Sequence, residues 1–228
     1  MLLIDGDIFC YRVGYSCNDE TEQVCLYTLD QYLASILLVF EPQPYHVVIT
    51  GKGNYRDEIA VTAPYKGTRK SEKPVHYQAI REHLKTAWEA LEAQGIEADD
   101  LISTLATEHT DAVIISIDKD FDQVEGKHYN FVKHQHYDIT ASEGLLNFYM
   151  QILVGDRVDN IIGAAGIGPV KARKLLEDKT EVEMYNACVE VLGAERVLEN
   201  GRLLWLQRYE GQMWEAPNFK KYTSKQDA

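Results

Sequence analysis

Apolar and polar positions alternate between two rhythms along the chain. Met1 to Ile4 is a short apolar run that ends in Asp-Gly-Asp, which predicts a buried strand with carboxylates at its C-terminal end. From Thr28 to Phe40 the apolar residues Leu29, Tyr32, Leu33, Ile36, Leu37 and Phe40 recur at helical spacing. Pro42 and Pro44 end that helix, and Val47 to Ile49 predicts a second strand followed by a turn at Gly51 and Gly53. A polar, basic stretch runs to Pro74. Val75 to Gln94 then predicts a helix closed by Gly95, and Asp99 to His109 predicts another. Ala112 to Ile117 is a third apolar strand ending in Asp-Lys-Asp, and Tyr129 to Val132 a fourth.

Strands separated by helical crossovers of a dozen residues or more imply an α/β domain around a central, mostly parallel twisted sheet flanked by helices. After Ser142 the pattern is helical only: Ser142–Val154, Pro169–Glu177, Glu181–Leu192 and Arg196–Arg208. The tail from Glu215 lacks periodicity and is expected to fray. The expected division is a catalytic α/β domain over 1–141 and a helical region over 142–228. A length of 228 residues suits one domain with an appendage, at about 100–200 residues per domain.

Composition narrows the class. With 45% hydrophobic residues, most of the chain is expected to be ordered. The longest apolar run, Tyr32 to Phe40, falls far short of the roughly 20 residues a membrane span needs. Asp5 and Asp7 interrupt the N-terminus where a signal peptide would need an apolar stretch, so a cytoplasmic protein with no membrane partner is expected. Cys10, Cys17, Cys25 and Cys188 show no CxxC pairing and are expected to be free, mostly buried thiols.

The acidic residues matter most for where they fall. Asp5 and Asp7 follow the first strand, Glu97, Asp99 and Asp100 open a helix, and Asp118 and Asp120 follow the third strand. In a parallel sheet the C-terminal strand ends share one edge, where such folds bind ligands. Carboxylates gathered there repel one another unless cations neutralise them. Oxygen-only ligands suit Mg²⁺ or Mn²⁺. Two such ions about 4 Å apart can activate water and stabilise the leaving oxygen in phosphodiester hydrolysis. Asp156 and Asp159, in "VGDRVDN", form a fourth cluster, expected on one face of a helical turn.

A formal charge of −13 argues at first against a nucleic-acid partner. The basic residues, however, are concentrated. Lys52, Arg56, Lys66, Arg69, Lys70, Lys73, Arg81 and Lys85 face only Asp57, Glu58, Glu72 and Glu82 within residues 52–85. That segment is therefore net positive. In "GIGPVKARKLL", Gly166 and Gly168 permit a tight loop with exposed amides, and Pro169 suits the first position of the next helix. Lys171, Arg173 and Lys174 add three positive charges there, a sequence-independent grip on a nucleic-acid backbone. Tyr65 beside Lys66 offers a base-stacking face next to a phosphate contact. His134 and His136 suit an edge strand or loop better than a metal, and Trp88, Trp205 and Trp214 suit packing.

"IDGD" (Ile4–Asp7), "PYKGTRK" (Pro64–Lys70), "EADDL" (Glu97–Leu101), "SIDKDFDQV" (Ser116–Val124) and "VGDRVDNIIGAAGIGPVKA" (Val154–Ala172) occur in the order found in 5′ nucleases. The chain resembles the flap-endonuclease-like 5′–3′ exonucleases of bacteriophages and the 5′ nuclease domain of bacterial DNA polymerase I, over about residues 1–176. The resemblance implies a PIN-like α/β domain with a helical arch or gateway at about 51–85. It also implies a duplex-binding helix–three-turn–helix at about 150–177.

It implies a metal-dependent 5′–3′ exonuclease and flap endonuclease working by two Mg²⁺ ions, with Mn²⁺ able to substitute. Its substrate would be DNA with a 5′ end or 5′ flap, and it would act as a monomer, in the host cytoplasm if phage-encoded. By the same resemblance, Asp5, Glu97, Asp99, Asp100, Asp118, Asp120, Asp156 and Asp159 match metal-site positions, with Asp7 able to contribute from the first strand. Asp5 and Asp118 would be central to catalysis. Lys66 matches a lysine on the scissile phosphate, next to Tyr65, with Arg69 and Lys70 in the arch. Gly166, Ile167 and Gly168 match a hairpin that grips the duplex, sometimes with a bound K⁺.

One departure stands out: the family usually has an aspartate at the end of the second strand, where this chain has Ile49, Thr50 and Gly51. Three rival readings follow from the same residues. They are a haloacid-dehalogenase-type phosphatase with Asp5 as nucleophile and Asp7 as general acid, a branched-DNA-binding protein without catalysis, and an RNA-directed nuclease.

Overall fold

The computed structural model describes residues 1–70 and 72–217. The expected fraying of the tail falls largely on 218–228, outside the described residues. The chain divides into two compact units, and they interleave in sequence: 1–55, 70–140 and 206–211 form the first, and 56–69, 141–205 and the segment from 212 form the second.

The first unit is built on a six-stranded sheet. Its strands are β1 (Leu2–Asp5), β2 (Tyr45–Thr50), β3 (Leu91–Ala93), β4 (Val113–Ile115), β5 (Gly126–Asn130) and β6 (Gln135–Ile139), in the order β3-β2-β1-β4-β5-β6. All neighbours run parallel except β5 and β6. The sheet is covered by α1 (Gly6–Ser16), α2 (Glu22–Leu37), α4 (Tyr77–Ala87) and α5 (Ala98–Glu108). The period-2 pattern of strands sorts the two faces. Leu2, Ile4, Val47, Ile49 and Ile115 enter one core with Phe9, Leu29, Leu33 and Ile80, while Leu3, Val48 and Ile114 enter another with Ala98 and Ile102. The order of connection reverses between β1 and β4, which makes their C-terminal ends the switch point of the sheet.

Several expected elements differ. The helix expected from Thr28 begins at Glu22, where Thr21 accepts from the Val24 amide as N-cap. The helix expected over 75–94 ends at Ala87; Glu89 takes φ +50°, and the chain re-enters the sheet as β3. The fourth strand starts at Gly126 and turns back into β6, with His134 in the turn and His136 on the edge strand. The four cysteines are free and buried.

The second unit packs α6 (Ala141–Val154), α7 (Pro169–Leu176), α8 (Glu181–Leu192) and α9 (Ala194–Leu204) around Phe148, Tyr149, Ile152, Leu176 and Val197. Trp205 and Trp214 pack edge-on against Phe148, with ring centroids 4.8 and 5.5 Å away. This region is not helical throughout: β7 (Gly155–Asp156) and β8 (Ile161–Ile162) pair as a two-stranded ribbon. The short α3 (Arg56–Ile59) belongs to this unit because Arg56, 1% exposed, donates to the carbonyls of Leu203 (2.7 Å) and Trp205 (2.8 Å) at the end of α9. Among the described residues no helix is long and apolar enough to cross a membrane.

Candidate functional site

At the switch point, β1 ends on Asp5 and turns at once into α1. Gly6 allows this, because a Cβ there would lie 2.6 Å from Ile49 Cγ2 and 2.8 Å from the Val48 carbonyl. Asp5 is buried. Its Oδ2 accepts from Ser116 Oγ at 2.9 Å, while Oδ1 has no hydrogen-bond partner among the described residues. Burial, reinforced by the charges of Asp7 and Asp118, pushes the Asp5 carboxyl up to about 8, against the downward pull of Ser116 and the Ile8 amide. A buried polar atom without a partner costs about 1–3 kcal/mol, so such an atom calls for an explanation.

Ser116 links this group to the next strand end, since its Oγ also accepts from the Asp118 amide at 3.0 Å. The two aspartates after β4 do not extend from the strand together. Asp118 caps a short 3₁₀ turn (Lys119–Gln123), and its Oδ1 accepts from the Asp120 amide at 2.9 Å. Asp118 is exposed and Asp120 half-buried.

Glu97, Asp99 and Asp100 open α5, where carboxylates favour the positive end of the helix. Glu97 and Asp100 form a reciprocal capping box. Asp100 is fully buried, and its oxygens accept from the Glu97 amide (3.2 Å) and the Gln207 amide (3.1 Å). It thereby works as a cap and tether within its unit. Thr50, where the sequence lacks an aspartate, holds α5 in place: its Oγ1 accepts from the Ala98 amide at 2.9 Å. Asp7 leaves β1 toward the same point, accepting from the Thr50 amide (3.1 Å) and pairing with Arg81 (3.3 Å).

Among the described residues no three His, Cys, Asp or Glu side chains stand close enough together to hold a metal ion as they are. Most of these carboxylates accept instead from amide and hydroxyl donors. The orphaned Asp5 Oδ1 nevertheless fits a hard cation. It is a carboxylate oxygen at a strand edge with two further acids in its field.

In the second unit the remaining candidates converge on Asp159. Asp156 ends β7 and accepts from the Val158 amide (2.6 Å) and the Asp159 amide (3.1 Å), so the cluster lies on a ribbon turn rather than a helical one. Asp159 takes Tyr65 Oη on Oδ2 (2.7 Å), Arg69 on Oδ1 (2.6 Å) and the Lys66 ammonium at 3.7 Å. The Lys66 amide also donates to the Asp159 carbonyl at 2.9 Å, holding Lys66 at φ +53°, a region that non-glycine residues rarely enter. Tyr65 departs from expectation: its ring is buried in the second core, so it anchors the segment and offers no exposed stacking face. Lys70 is exposed but belongs to the first unit.

The hairpin before α7 forms as the glycines suggest. Gly166 has φ +73°, Gly168 caps the helix, and Pro169 opens it. Ile167 is half-buried, and its amide donates to the Ala164 carbonyl at 3.2 Å. Ala172 and Leu176 face the core, which leaves Lys171, Arg173 and Lys174 exposed. Lys171 Nζ donates to the Gly166 carbonyl at 3.2 Å, so one hairpin carbonyl already has a cationic partner.

Residues 1–149 match the model of the 5′-3′ exonuclease N-terminal resolvase-like domain. The chain belongs to the 5′–3′ exonuclease family. A flap endonuclease Xni of Shewanella baltica is 31% identical over 215 residues, covering 86% of this chain and 80% of the relative. DNA polymerase I of Bacillus caldotenax is 30% identical over 231 residues, covering 89% of this chain and 26% of that longer protein. A bacteriophage T5 D15 flap endonuclease, solved as a pseudo-enzyme-product complex with DNA and metal ions, shares the fold. Its TM-score is 0.68 at 18% identity, over 89% of this chain and 88% of that one. As a member of the 5′–3′ exonuclease family the chain is a nuclease, a hydrolase, and the phosphatase reading of Asp5 and Asp7 falls. Ser116 and Thr50, absent from the sequence-based candidates, and Arg81, expected only as part of the basic stretch, support the acids at this edge.

Proposed function

We propose that this chain is a divalent-metal-dependent 5′ nuclease that hydrolyses DNA at 5′ ends and 5′ flaps, with Mg²⁺ as its ion and Mn²⁺ a substitute, acting as a monomer. The observation that carries the reading is the buried Asp5 carboxylate with an unpartnered oxygen at the switch point, joined to Asp118 through Ser116. Divalent ions bound there supply activation of water and stabilisation of the leaving 3′-oxygen.

The residues have separable tasks in this proposal. Asp5, Asp118 and Asp120, with Glu97 and Asp99 from the α5 terminus, are the oxygen ligands. Ser116 orients Asp5 and Asp118. Lys66 and Arg69 take up DNA phosphate in exchange for Asp159, which releases them as the nucleic acid arrives. The Gly166–Gly168 hairpin, with Lys171, Arg173 and Lys174, grips the duplex backbone without reading sequence. In support, a relative of this chain carries a flap-endonuclease name, and the T5 protein of like fold was solved with DNA and metal ions.

The test is a 5′-flap duplex labelled at its 5′ end, incubated with wild type and Asp118→Asn in Mg²⁺ and in EDTA. Metal-dependent release of short labelled products by wild type alone is expected, and product length separates flap cutting from stepwise exonuclease action. Duplex binding without cleavage in either Mg²⁺ or Mn²⁺ would replace this reading with a non-catalytic branched-DNA binder.

A further inference from the structure

Arg81, on α4, reaches the end of β2 in the first unit. Its guanidinium stands 3.3 Å from Asp7 Oδ1, 2.6 Å from the Thr50 carbonyl and 3.2 Å from Glu92 Oε1. Two carboxylates and one main-chain carbonyl around a single positive centre are the donor set that a hard cation takes. Here that centre is a side chain. The other Asp7 oxygen accepts from the Thr50 amide at 3.1 Å, so both of its oxygens have partners. The Arg81 side chain is only 14% exposed, so these contacts are weakly screened.

With Arg81 in place, the positive charge at this point is already supplied. The cleft of about 450 Å³ beside Arg81 is lined by Lys52, Lys73 and Lys85 together with Glu82 and Glu92, and Lys85 pairs with Glu82 at 3.6 Å. Lys73 lies over the Tyr77 ring at 4.2 Å, and Arg81 itself over the same ring at 5.9 Å. A guanidinium stays charged at every accessible pH, and its planar fork engages several oxygens at once. It is therefore a permanent occupant, unlike a dissociable ion.

We propose that Arg81 is a built-in cation that claims Asp7 and Glu92, so that Asp7 does not ligate a divalent ion and Asp5 is the β1 carboxylate left to do so. Arg81 is then a positioning residue: it fixes which of two neighbouring acids meets the metal. The consequence for cleavage rests on the metal-dependent reading above, but the claim on Asp7 can fail separately.

The experiment measures Mn²⁺ binding to the full chain without DNA, from the electron paramagnetic resonance signal of the free ion. It compares wild type, Asp5→Asn, Asp7→Asn, Arg81→Gln and Arg81→Lys, with circular dichroism to confirm folding. Asp7→Asn is expected to bind Mn²⁺ like wild type, while Asp5→Asn loses at least about tenfold in affinity. Arg81→Gln is expected to bind an additional ion, and Arg81→Lys to restore the wild-type count. Asp7→Asn weakening Mn²⁺ as much as Asp5→Asn, or an unchanged ion count in a folded Arg81→Gln, would overturn the proposal. Should Arg81→Gln not fold, the contrast between Asp5→Asn and Asp7→Asn decides. Wild type binding no Mn²⁺ would defeat the metal-dependent reading, and the claim on Asp7 would then stand or fall on whether Arg81→Gln gains an ion.

Discussion

The guanidinium of Arg69 and the carboxylate of Asp159 stand 2.6 Å apart although 90 residues separate them in sequence. Tyr65 and Lys66 share the same carboxylate. Without nucleic acid, the cationic groups expected to meet phosphate are thus held by an acid within their own unit. Asp159→Asn should release part of that hold. Flap-DNA affinity is expected to rise, with the salt slope of binding steeper by about one. Cleavage is expected to slow, because the 65–69 segment loses its frame. Fluorescence anisotropy over a salt series checks this, and a lower affinity in Asp159→Asn would mean that Asp159 does not compete with phosphate.

If Asp5 ligates the proposed divalent ion, both metal affinity and stability should depend on pH. Its carboxyl titrates at about 8 in the fold against an ordinary 3.8. The folded state therefore holds a proton that the unfolded state has lost between those values. Its contribution to stability is complete below pH about 4 and disappears as pH rises through about 8. A cation must displace that proton, so Mg²⁺ affinity should rise with pH up to about 8 and then level, releasing about one proton per ion near neutrality. Calorimetric titration in buffers of different ionisation enthalpy counts the proton. Asp5→Asn should abolish the pH dependence and, without metal, be more stable than wild type at alkaline pH.

Ser116 ties the two strand ends together, so its loss should harm geometry more than fold. Ser116→Ala leaves Asp5 Oδ2 without its 2.9 Å donor and the Asp118 amide without its acceptor. A cost of about 1–3 kcal/mol is expected in urea denaturation. Cleavage should fall about tenfold or more, at the lower end of what orienting partners of ligands contribute. Ser116→Thr, which keeps the hydroxyl, should recover most of the rate. Equal rates in Ser116→Ala and wild type would remove Ser116 from the site.

The acids at the sheet edge were legible because each follows an apolar run or opens a helix, and chain order alone sends such ends to one edge of a parallel sheet. The supports were not. Thr50, Arg81 and Ser116 carry no signature in their own neighbourhoods; each makes a hydrogen bond to an aspartate of the β1 end, 43, 74 and 111 positions away respectively. The same holds for missed elements. In α1 the buried positions Gly6, Phe9, Cys10, Val13 and Gly14 follow helical spacing, but two of them are glycines and leave gaps in any apolar stripe. Gly14 is needed there, since a Cβ would lie 2.7 Å from Pro74. The break after Ala87 follows from Leu91–Ala93 pairing with β2, a long-range choice that local periodicity does not encode. Tyr65 reads as a stacking residue beside Lys66, and only the packing of the second core turns its ring inward.

Arg56 tests whether the 56–69 segment depends on the second unit. The side chain is 1% exposed and ends on the Leu203 and Trp205 carbonyls. A second clasp lies further along, where Glu199 Oε1 accepts from the amides of Val61 (2.8 Å) and Thr62 (2.6 Å). Arg56→Ala removes the donor from the buried Leu203 carbonyl and the half-buried Trp205 carbonyl and should cost about 3 kcal/mol. Glu199→Gln keeps the shape of the second clasp, loses its charge, and should cost less. Proteolytic nicking within residues 56–69 should then be fastest in Arg56→Ala, slower in Glu199→Gln and slowest in wild type. Because Lys66 and Arg69 lie in that segment, nicking should track loss of flap cleavage while duplex binding through Lys171 and Lys174 persists. Cleavage surviving a complete nick would show that the phosphate-contacting role assigned to Lys66 and Arg69 does not need the segment intact.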